Sequence, residues 1–556
     1  MYRFLQKNHR TVFYTAWFLL GLFQAAFTYL IDDEAYYWTY SRFLDWGYFD
    51  HPPMIGLLIK MGYAIFPNEI GVRLFPLLLN VFSLFLIEQL TDKKNPFLFY
   101  TIAFSIAALQ LSGFIAVPDI PLIFFTALFF VCYKRFVQTW SLLHTFLLAL
   151  STVLLFYSKY HAVLIVFFTL LSNKKLFTKY QTYLAGFIVL LLFAPHLWWQ
   201  YQHDWVSFRY HLFESNVDPY KPTYTIEYII GQLLIAGPIA GFILLPAAFL
   251  YKPTSTTEKA LQFTLWGVYI FFFISSFRGR IEANWTAPVL VPLMILSHQY
   301  LASHQRWSKW LLRLLPVTLV MVTAARVFMI VDILPVRAVK KMYHYWHKWP
   351  AVMKEKTKGL PVVFFSSYQQ ASKYWFYTGQ PTFSINHYRG RKNNFNFWPI
   401  EDSLLGKPVY YVERYNPETF SDSLITGIGT MGYRYVPSYA SFSRVHIATD
   451  KKKYKLGEKE KTLAMHCSFE IPQEHKKYIL SHSDLQDSVI VAVFDKWKWI
   501  KDIPVSLSLR EMVDSKEKTL TISPELEPGT YYLRFAIKNG FLHATHSSHK
   551  IKLVVD

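Results

Sequence analysis

Long apolar runs separated by short polar connections fill the first 330 residues of the chain. A helix needs about 20 apolar residues to cross a bilayer, and several of these runs reach that length. The chain is 53% hydrophobic and 17% charged, whereas soluble domains are about 25% charged. The runs lie near 11–30, 71–90, 96–117, 120–137, 142–157, 161–172, 181–200, 226–250, 260–277, 286–301 and 310–330. We therefore expect a polytopic α-helical membrane protein with about eleven or more spans, although the runs near 142–172 are short and leave the count open.

The basic residues of this region fall mainly into alternate loops. The more basic loops contain Lys93, Lys94, Lys134, Arg135, Lys174, Lys175, Lys179, Lys252, Lys259, Arg306 and Lys309. Short cytoplasmic loops carry an excess of basic residues. We therefore expect these loops and the basic N-terminus to face the cytoplasm, with an uncleaved first span in the inner cell membrane. Topology and contacts with membrane lipids then account for the formal charge of +20, and nucleic acid is not an expected partner.

The sequence changes character after Asp332, where the apolar runs stop and charge density rises. Strand patterns at Pro361–Ser366 and Lys407–Val412, with a helical pattern at Gln369–Tyr377 between them, predict an α/β region. Later alternating stretches such as Val489–Phe494 predict a β-sandwich. The topology places both regions outside the cytoplasm. The expected domains are a transmembrane domain over 1–332, an extracytoplasmic α/β domain over 333–454 and an extracytoplasmic β-sandwich-like domain over 455–556.

The connection after the first apolar run is expected to be an external loop beside the membrane, over residues 31–54. It combines eight aromatic residues with the polar residues Asp32, Asp33, Glu34, Asp50 and His51. Charged side chains are costly to keep close to lipid, so such a cluster favours a functional site. Asp32 and Asp33 also have an ordinary alternative, because carboxylates at the start of a short surface helix interact favourably with the helix dipole.

Two aromatic residues of that loop, Tyr36 and Tyr37, have overlapping interpretations. Aromatic side chains favour the interface between membrane and water. Sugars also stack on aromatic rings. Tyr36 and Tyr37 are therefore candidates for substrate binding as well as for an interfacial belt.

Further charged residues are expected on the same outer face. Asp119 lies between two prolines in VPDIPLIFF and either caps a helix or contributes to a site. Lys159 either extends its charge to the interface or binds a lipid phosphate. Arg278 and Arg280, with Glu282 nearby, suit bidentate phosphate binding. A solvated loop is the alternative for these three residues.

An outer face with carboxylates and separated cations suits the transfer of a sugar that is linked through phosphate to a polyprenyl lipid. A carboxylate accepts the proton of the incoming hydroxyl or amine as general base, and cations offset the charge that develops on the lipid phosphate. A nucleotide-sugar enzyme would place its site on the cytoplasmic side. The outer segments contain no Walker loop, HExxH motif or serine elbow. The cysteines, Cys132 and Cys467, indicate neither a disulfide framework nor a metal site.

An ordered set of motifs resembles the bacterial branch of the protein O-mannosyltransferase and aminoarabinose transferase superfamily over roughly residues 1–415. The motifs are DDEAYYW, WGYFDHPPM, GVRLFP, PDIPLIFF, SKYHAVL, PHLWWQYQHDWVSF and EANWTAP. The resemblance implies an inverting membrane glycosyltransferase of the GT-C fold with a polyprenyl-phosphate-sugar donor. It implies that Asp33 is the catalytic aspartate, in a pair with Glu34, and that Asp119 is the second acidic position. Asp32 is the neighbour that could be mistaken for Asp33. It also implies that no cofactor is required, and it leaves a divalent metal open.

One motif departs from the family. Asp50–His51 stands where aminoarabinose transferases carry a Glu-Lys pair before the double proline. Histidine is a weaker and pH-dependent cation, so Lys159 and Arg280 are expected to bear more of the contact with phosphate. The departure also puts lipid A and aminoarabinose in doubt as substrates. The acceptor is therefore left open among a glycolipid, a cell-envelope glycan and a protein.

The β-rich tail beyond about residue 455 lies outside the resemblance. It either helps to position a glycan acceptor or stabilises the rest of the chain. Two other classes of function stay open, a transporter or flippase for a lipid-linked sugar and a non-catalytic scaffold. A transporter would need charged residues within the spans and paired repeats, whereas the charges here gather in loops on one side.

Overall fold

Helices form the first of two structural units, and sheets dominate the second. The computed structural model describes residues 7–91, 95–214, 219–345, 348–457, 460–496 and 498–556. Its two units are Met1–His344 and Tyr345–Asp556, which divide close to the change of character expected after Asp332. Lys93 and Lys94 of one predicted inner loop lie outside the described residues.

The first unit consists of helices of very different length around one large apolar core. Its α-helices are His9–Phe27, Asp32–Arg42, Met54–Ile65, Glu69–Leu90, Pro96–Ser105, Ala107–Ser112, Asp119–Thr139, Leu142–Ser158, Ala162–Ser172, Tyr180–Gln202, Val206–Arg209, Pro222–Ala236, Gly241–Leu250, Thr256–Ser275, Leu290–Ser303, Gln305–Ile330 and Arg337–Val339. Its 3-10 and π-helical turns are Lys174–Thr178, Tyr210–Glu214, Ala283–Val289 and Lys340–His344. The helix Met54–Ile65 was not predicted from the sequence.

Several of these helices are long and apolar enough to cross a membrane. In the described part of the chain, 4 helices reach this length by themselves, and the number rises to 6 if each of two bent helix pairs is one span. The 4 helices are Glu69–Leu90, Asp119–Thr139, Tyr180–Gln202 and Gln305–Ile330. Shorter apolar helices of 10–17 residues lie between them. The fold is that of a multi-helix membrane protein, and the expected count of about eleven spans stays a prediction.

Two of the predicted apolar runs are broken by the backbone. The run 226–250 bends by 94° at Gly237, whose φ of +111° suits a residue without a side chain. The run 96–117 is interrupted at Ile106. There the Gln110 side chain donates to a main-chain carbonyl oxygen of the preceding helix at 2.7 Å and so compensates a lost helical hydrogen bond.

The second unit begins with an α/β region. One sheet in the order β2-β1-β3-β5-β4 is formed by β1 (Val362–Phe365), β2 (Thr382–Ile385), β3 (Val409–Glu413), β4 (Asp422–Thr426) and β5 (Gly429–Val436). β1 is parallel to both β2 and β3. The region also contains the helices Trp349–Lys356, Tyr368–Thr378 and Ile400–Leu404. The two predicted strands and the predicted helix between them are confirmed.

The remaining strands form two sheets that share a core. They are β6 (His446–Thr449), β7 (Lys453–Leu456), β8 (Leu463–Glu470), β9 (Asp487–Asp495), β10 (Lys498–Val505), β11 (Glu517–Ile522), β12 (Gly529–Asn539), β13 (Thr545–His546) and β14 (Ile551–Val555), with helices Gln473–Ser481 and Leu509–Ser515. One sheet has the order β10-β9-β12-β14-β7, with β13 beside β12, and the other has the order β11-β8-β6. Apolar residues of both sheets join one cluster, as expected of a sandwich. Because β6 precedes residue 455, the predicted boundary between the second and third domains stays a prediction.

Candidate active site

The acidic segment that was expected to be a loop is a helix at a sharp bend. Asp32–Arg42 follows the first helix at an angle of 89°, and its first turn holds Asp32, Asp33 and Glu34. The Ile31 amide donates to Glu34 Oε2 at 3.1 Å, which satisfies a main-chain N–H group at the start of the helix. The loop prediction is therefore wrong for this stretch, because carboxylates in a first turn stabilise a helix.

A buried ion pair, here named the Glu34–Arg73 clamp, fixes this bend. Glu34 accepts hydrogen bonds from Arg73 Nε at 2.7 Å and from Arg73 Nη2 at 2.6 Å, and neither side chain has exposed surface. Arg73 also donates at 2.6–2.9 Å to the carbonyl oxygens of Ala25, Thr28 and Tyr29. The five N–H donors of the guanidinium group are thus all used. The clamp joins the end of the first helix to the helix that carries the acidic turn.

Of the predicted catalytic pair Asp33 and Glu34, only Glu34 takes part in this clamp. Glu34 is fully buried, Asp32 is half-buried and Asp33 is exposed. Glu34 Oε1 accepts a further hydrogen bond from the Ala116 amide at 2.9 Å, so each of its oxygens has two donors. Asp33 is therefore the carboxylate of the pair that can meet a substrate, and Glu34 can hold the backbone that carries it.

Two tyrosines of the acidic helix hold the Asp50–His51 segment. The Tyr37 hydroxyl is hydrogen-bonded to His51 Nε2 at 3.0 Å, and Tyr40 donates to Asp50 Oδ1 at 2.5 Å. Tyr36 is 1% exposed and Tyr37 is 7% exposed. Their rings pack inside the protein, so the interfacial-belt interpretation is wrong for these two residues.

A second buried ion pair joins the ends of two antiparallel helices. Lys159 Nζ donates to Asp119 Oδ1 at 2.8 Å, and Asn284 Nδ2 donates to Asp119 Oδ2 at 3.1 Å. Asp119 begins the helix Asp119–Thr139, and Lys159 directly follows the helix Leu142–Ser158. The side chains of Lys159 and Asp119 are 6% and 11% exposed. Lys159 is thus held inside the unit by a carboxylate and does not extend to the interface.

A cavity of about 620 Å³ opens beside this ion pair. Its polar wall includes Lys159, Arg278, His161 and His211, and most of the remaining wall is aromatic or aliphatic, as with Trp285. Guanidinium and ammonium groups bind phosphate through charge-assisted hydrogen bonds. An apolar chamber with a few such groups suits a ligand that has an apolar chain and an anionic head.

Contacts between side chains connect the acidic helix to the cavity. Tyr37 lies one turn after Asp33, on the same side of the helix, and it bonds His51. The ring centroid of His51 lies 6.5 Å from that of His211, which lines the cavity. His211 Nε2 also lies 2.9 Å from the Asp50 carbonyl oxygen. The Asp50–His51 segment therefore lies between the acidic helix and the cavity wall.

Arg280 and Glu282 lie apart from this wall. Arg280 Nε is 3.4 Å from Glu227 Oε2 and 3.6 Å from Glu282 Oε1, and more than half of each side chain is exposed. Of the two predicted arginines, Arg278 is the one among the described residues that line the cavity. The solvated-loop alternative thus describes Arg280 and Glu282, because both side chains are mostly exposed and pair with each other at the surface.

Three residues of the site were not predicted, namely Asn284, His161 and His211. His161 lies in SKYHAVL and Asn284 in EANWTAP, so the motifs themselves contained a signal. His211 lies beyond the motif that ends at Phe208, and its contacts in the folded chain, such as that with the Asp50 carbonyl oxygen, bring it to the site. Within the described ranges, no group of three or more His, Cys, Asp or Glu side chains is arranged to hold a metal ion.

A sequence model of the family described as dolichyl-phosphate-mannose-protein mannosyltransferase matches residues 50–199. The lipid A galacturonosyltransferase RgtD of Rhizobium johnstonii is 26% identical over 296 residues. The aligned part is 50% of this chain and 62% of that protein. The chain thus spans less than two thirds of the length of this curated relative.

Solved structures of ArnT from Cupriavidus metallidurans have a similar architecture. The apo structure matches with a TM-score of 0.57 and 13% sequence identity, over 77% of this chain and 98% of ArnT. The structure bound to undecaprenyl phosphate matches with a TM-score of 0.55 and 13% identity, over 76% of this chain and 97% of ArnT. At this identity the likeness shows a shared fold. Together with the two sequence matches, this shared fold confirms the resemblance that the motifs predicted.

Proposed function

We propose that this chain, which belongs to the GT-C glycosyltransferase superfamily, transfers a sugar from a polyprenyl-phosphate donor to an acceptor outside the cytoplasm. The acceptor is a glycolipid, a cell-envelope glycan or a protein. One observation carries the proposal. An exposed carboxylate, Asp33, lies on a helix turn that the Glu34–Arg73 clamp joins to the end of the first helix, and contacts link this helix to an apolar cavity with cations.

The cavity is the donor site in this proposal. Its aromatic and aliphatic walls suit an isoprenoid chain, and Lys159 and Arg278 suit the phosphate. Asp119 and Asn284 fix Lys159 before the substrate arrives, so little reorganisation is needed during the reaction. Undecaprenyl phosphate, which is bound in one ArnT structure, is the corresponding class of lipid.

Asp33 acts as general base. Its carboxylate takes the proton of the acceptor hydroxyl or amine while the acceptor atom bonds to the anomeric carbon of the sugar. The bond between that carbon and the phosphate oxygen breaks, and Lys159 and Arg278 offset the charge on the departing phosphate. A single displacement of this kind inverts the anomeric configuration. At the end of the step the acceptor proton is on Asp33, and the lipid phosphate has left with the bonding electron pair.

The other predicted residues support these groups. Glu34 is a positioning residue, since both of its oxygens are used within the clamp. Asp50 and His51 lie between the acidic helix and the cavity. They are bonded to the helix through Tyr40 and Tyr37, respectively. In this scheme the active site opens at the outer face of the membrane.

The proposal is tested by mass spectrometry of cell-envelope glycolipids and glycoproteins from cells with and without this protein. We expect deletion to remove one sugar modification. The wild-type chain should restore the modification, and Asp33→Asn should not. Glu69→Gln is the matched control, because Glu69 is also a carboxylate in the first turn of a helix, and it should restore the modification fully.

A second measurement separates the enzyme from the alternatives. The purified chain should transfer sugar from the polyprenyl-phosphate donor to the acceptor that the envelope comparison identifies. If deletion removes a modification but the purified chain transfers nothing, a flippase or scaffold role replaces the enzyme. If Asp33→Asn transfers at the wild-type rate, the assignment of the base is refuted.

A further inference from the structure

Polar side chains collect where three parallel strands of the second unit end. β1 is followed by Ser366, β2 is followed after one residue by His387, and β3 ends with Glu413. The register aligns these ends, because Phe365 pairs with Ile385 and the residue before Phe365 pairs with Val412. In open α/β sheets, ligands bind in the crevice outside the carboxyl ends of the strands.

A fourth polar residue, His543, reaches the same edge from the segment between β12 and β13. Its Nε2 lies 3.1 Å from Glu413 Oε2, and its ring stacks on Phe365 with centroids 3.9 Å apart. The Ser366 hydroxyl oxygen accepts a hydrogen bond from the His387 amide at 3.0 Å. Together, Ser366, His387, Glu413 and His543 are called the strand-end cluster.

Two observations indicate that the strand-end cluster is more than a structural contact. Ser366 has a φ of +46°, a conformation that costs free energy for a residue other than glycine and is enriched at ligand sites. Two large aromatic residues near the cluster are exposed, Tyr415 by 67% and Phe541, two residues before His543 in the sequence, by 45%. The Tyr415 ring is 6.1 Å from that of Phe365.

The chemistry of the strand-end cluster favours a neutral ligand with many hydroxyl groups. Burial lowers the pKa of His387 to about 4, so its imidazole is neutral near pH 7. Its Nδ1 accepts a hydrogen bond from the Arg389 amide at 3.3 Å, which leaves the Nε2–H group as a donor. The buried Glu413 carboxylate accepts hydrogen bonds and disfavours an anion at the same place. Serine-hydrolase chemistry would need an imidazole nitrogen at the Ser366 hydroxyl, and the structure puts the His387 amide there.

We propose that the strand-end cluster, with Tyr415 and Phe541 at its border, binds a neutral glycan. The exposed Tyr415 ring offers a stacking surface for a sugar face, whereas the Arg434 guanidinium lies 4.7 Å from the centre of the Phe541 ring. The four polar side chains offer donors and acceptors for hydroxyl groups. Its role as the site that holds the glycan part of the acceptor rests on the proposed function. The binding itself does not depend on transfer.

Binding is tested with the full chain in detergent on an array of unphosphorylated hexose, heptose and N-acetylhexosamine oligosaccharides. We expect retention of at least one neutral oligosaccharide, with no displacement by inorganic phosphate. Tyr415→Ala and Glu413→Gln should weaken binding about tenfold, the effect of losing one hydrogen bond or contact of about 1.4 kcal/mol. Tyr435→Ala is the matched control, because Tyr435 is an exposed tyrosine of the same sheet on β5, and it should bind like the wild type.

The inference is overturned if no neutral oligosaccharide is retained, if phosphate displaces the glycan, or if Tyr415→Ala binds like the wild type. Tyr415 is exposed, so this variant stays informative if Glu413→Gln fails to fold. The transfer assay keeps the two proposals apart. Glycan binding without transfer refutes the enzyme alone, and transfer that Asp33→Asn abolishes, without glycan binding, refutes the strand-end cluster alone.

Discussion

Two buried ion pairs of the helical unit differ in what their cations can reach. In the Glu34–Arg73 clamp neither side chain is exposed, and every guanidinium donor is bonded within the protein. Lys159 is also bonded to a carboxylate, Asp119, yet it forms part of the cavity wall. An ammonium group has three donors, so Lys159 can keep its carboxylate and still bind an anion. Burial of a charge alone therefore does not identify a group that can meet a substrate, and its exposure to solvent or to a cavity has to be considered as well.

Breaking the Glu34–Arg73 clamp should have the largest effect on the fold. Arg73→Met leaves Glu34 buried without its counter-charge, and we expect the free energy of unfolding to fall by about 3–5 kcal/mol. Thermal unfolding of the purified protein in detergent measures the loss. Arg280→Met is the control, because an exposed ion pair contributes about 0–1 kcal/mol. Similar small changes in both variants would show that the clamp does not hold the bend.

Removing the cation of the Lys159–Asp119 pair should affect transfer more than folding. We expect Lys159→Met to lower kcat about 10²–10³-fold, the usual effect of losing one group that stabilises charge in the transition state. The double variant Asp119→Asn with Lys159→Met also removes the unpaired carboxylate charge, so it should unfold close to the wild-type temperature. Recovery of transfer along with stability would mean that Lys159 is only structural.

Arg278, which lines the cavity, and Arg280, which does not, should differ in their effect on donor binding, by a smaller factor than the change in kcat expected for Lys159→Met. Arg278→Ala should weaken binding of undecaprenyl phosphate about tenfold or more, since a hydrogen bond to a charged group contributes about 1.5–3 kcal/mol. Arg280→Ala should leave the Kd unchanged, because its partners are surface carboxylates. Tryptophan fluorescence can report binding, as Trp285 lines the cavity. Equal effects of the two substitutions would contradict this assignment.

The sequence was sufficient to predict the class of fold and most charged members of the site. Apolar runs of membrane length and motifs at the starts and ends of helices indicated both, because these signals are local. The clamp was not predictable from local pattern, since Arg73 and Glu34 are 39 positions apart. Asn284 is 165 positions from Asp119, and only the folded chain brings the two together.

Breaks within apolar runs also show that local sequence patterns do not predict every feature of the fold. The bend at Gly237 has a visible cause, because glycine precedes proline there and both interrupt a helix. Ile106 has no such signal, and hydrophobicity is equally compatible with one helix or two. In the second unit, alternation predicted β9 correctly. The strand-end cluster was not predictable, because His543 joins Glu413 from 130 positions away.

Single-turnover transfer by Asp33→Asn tests the central claim most directly. The measurement uses the donor and acceptor identified by mass spectrometry of cell envelopes with and without this protein. The Kd for undecaprenyl phosphate and the unfolding temperature of the same variant are measured alongside it. We expect transfer to be about 10²–10⁴-fold slower. The Kd and the unfolding temperature should be unchanged, since the cavity and the Glu34–Arg73 clamp are intact. Transfer at the wild-type rate would contradict the role of Asp33 as the base.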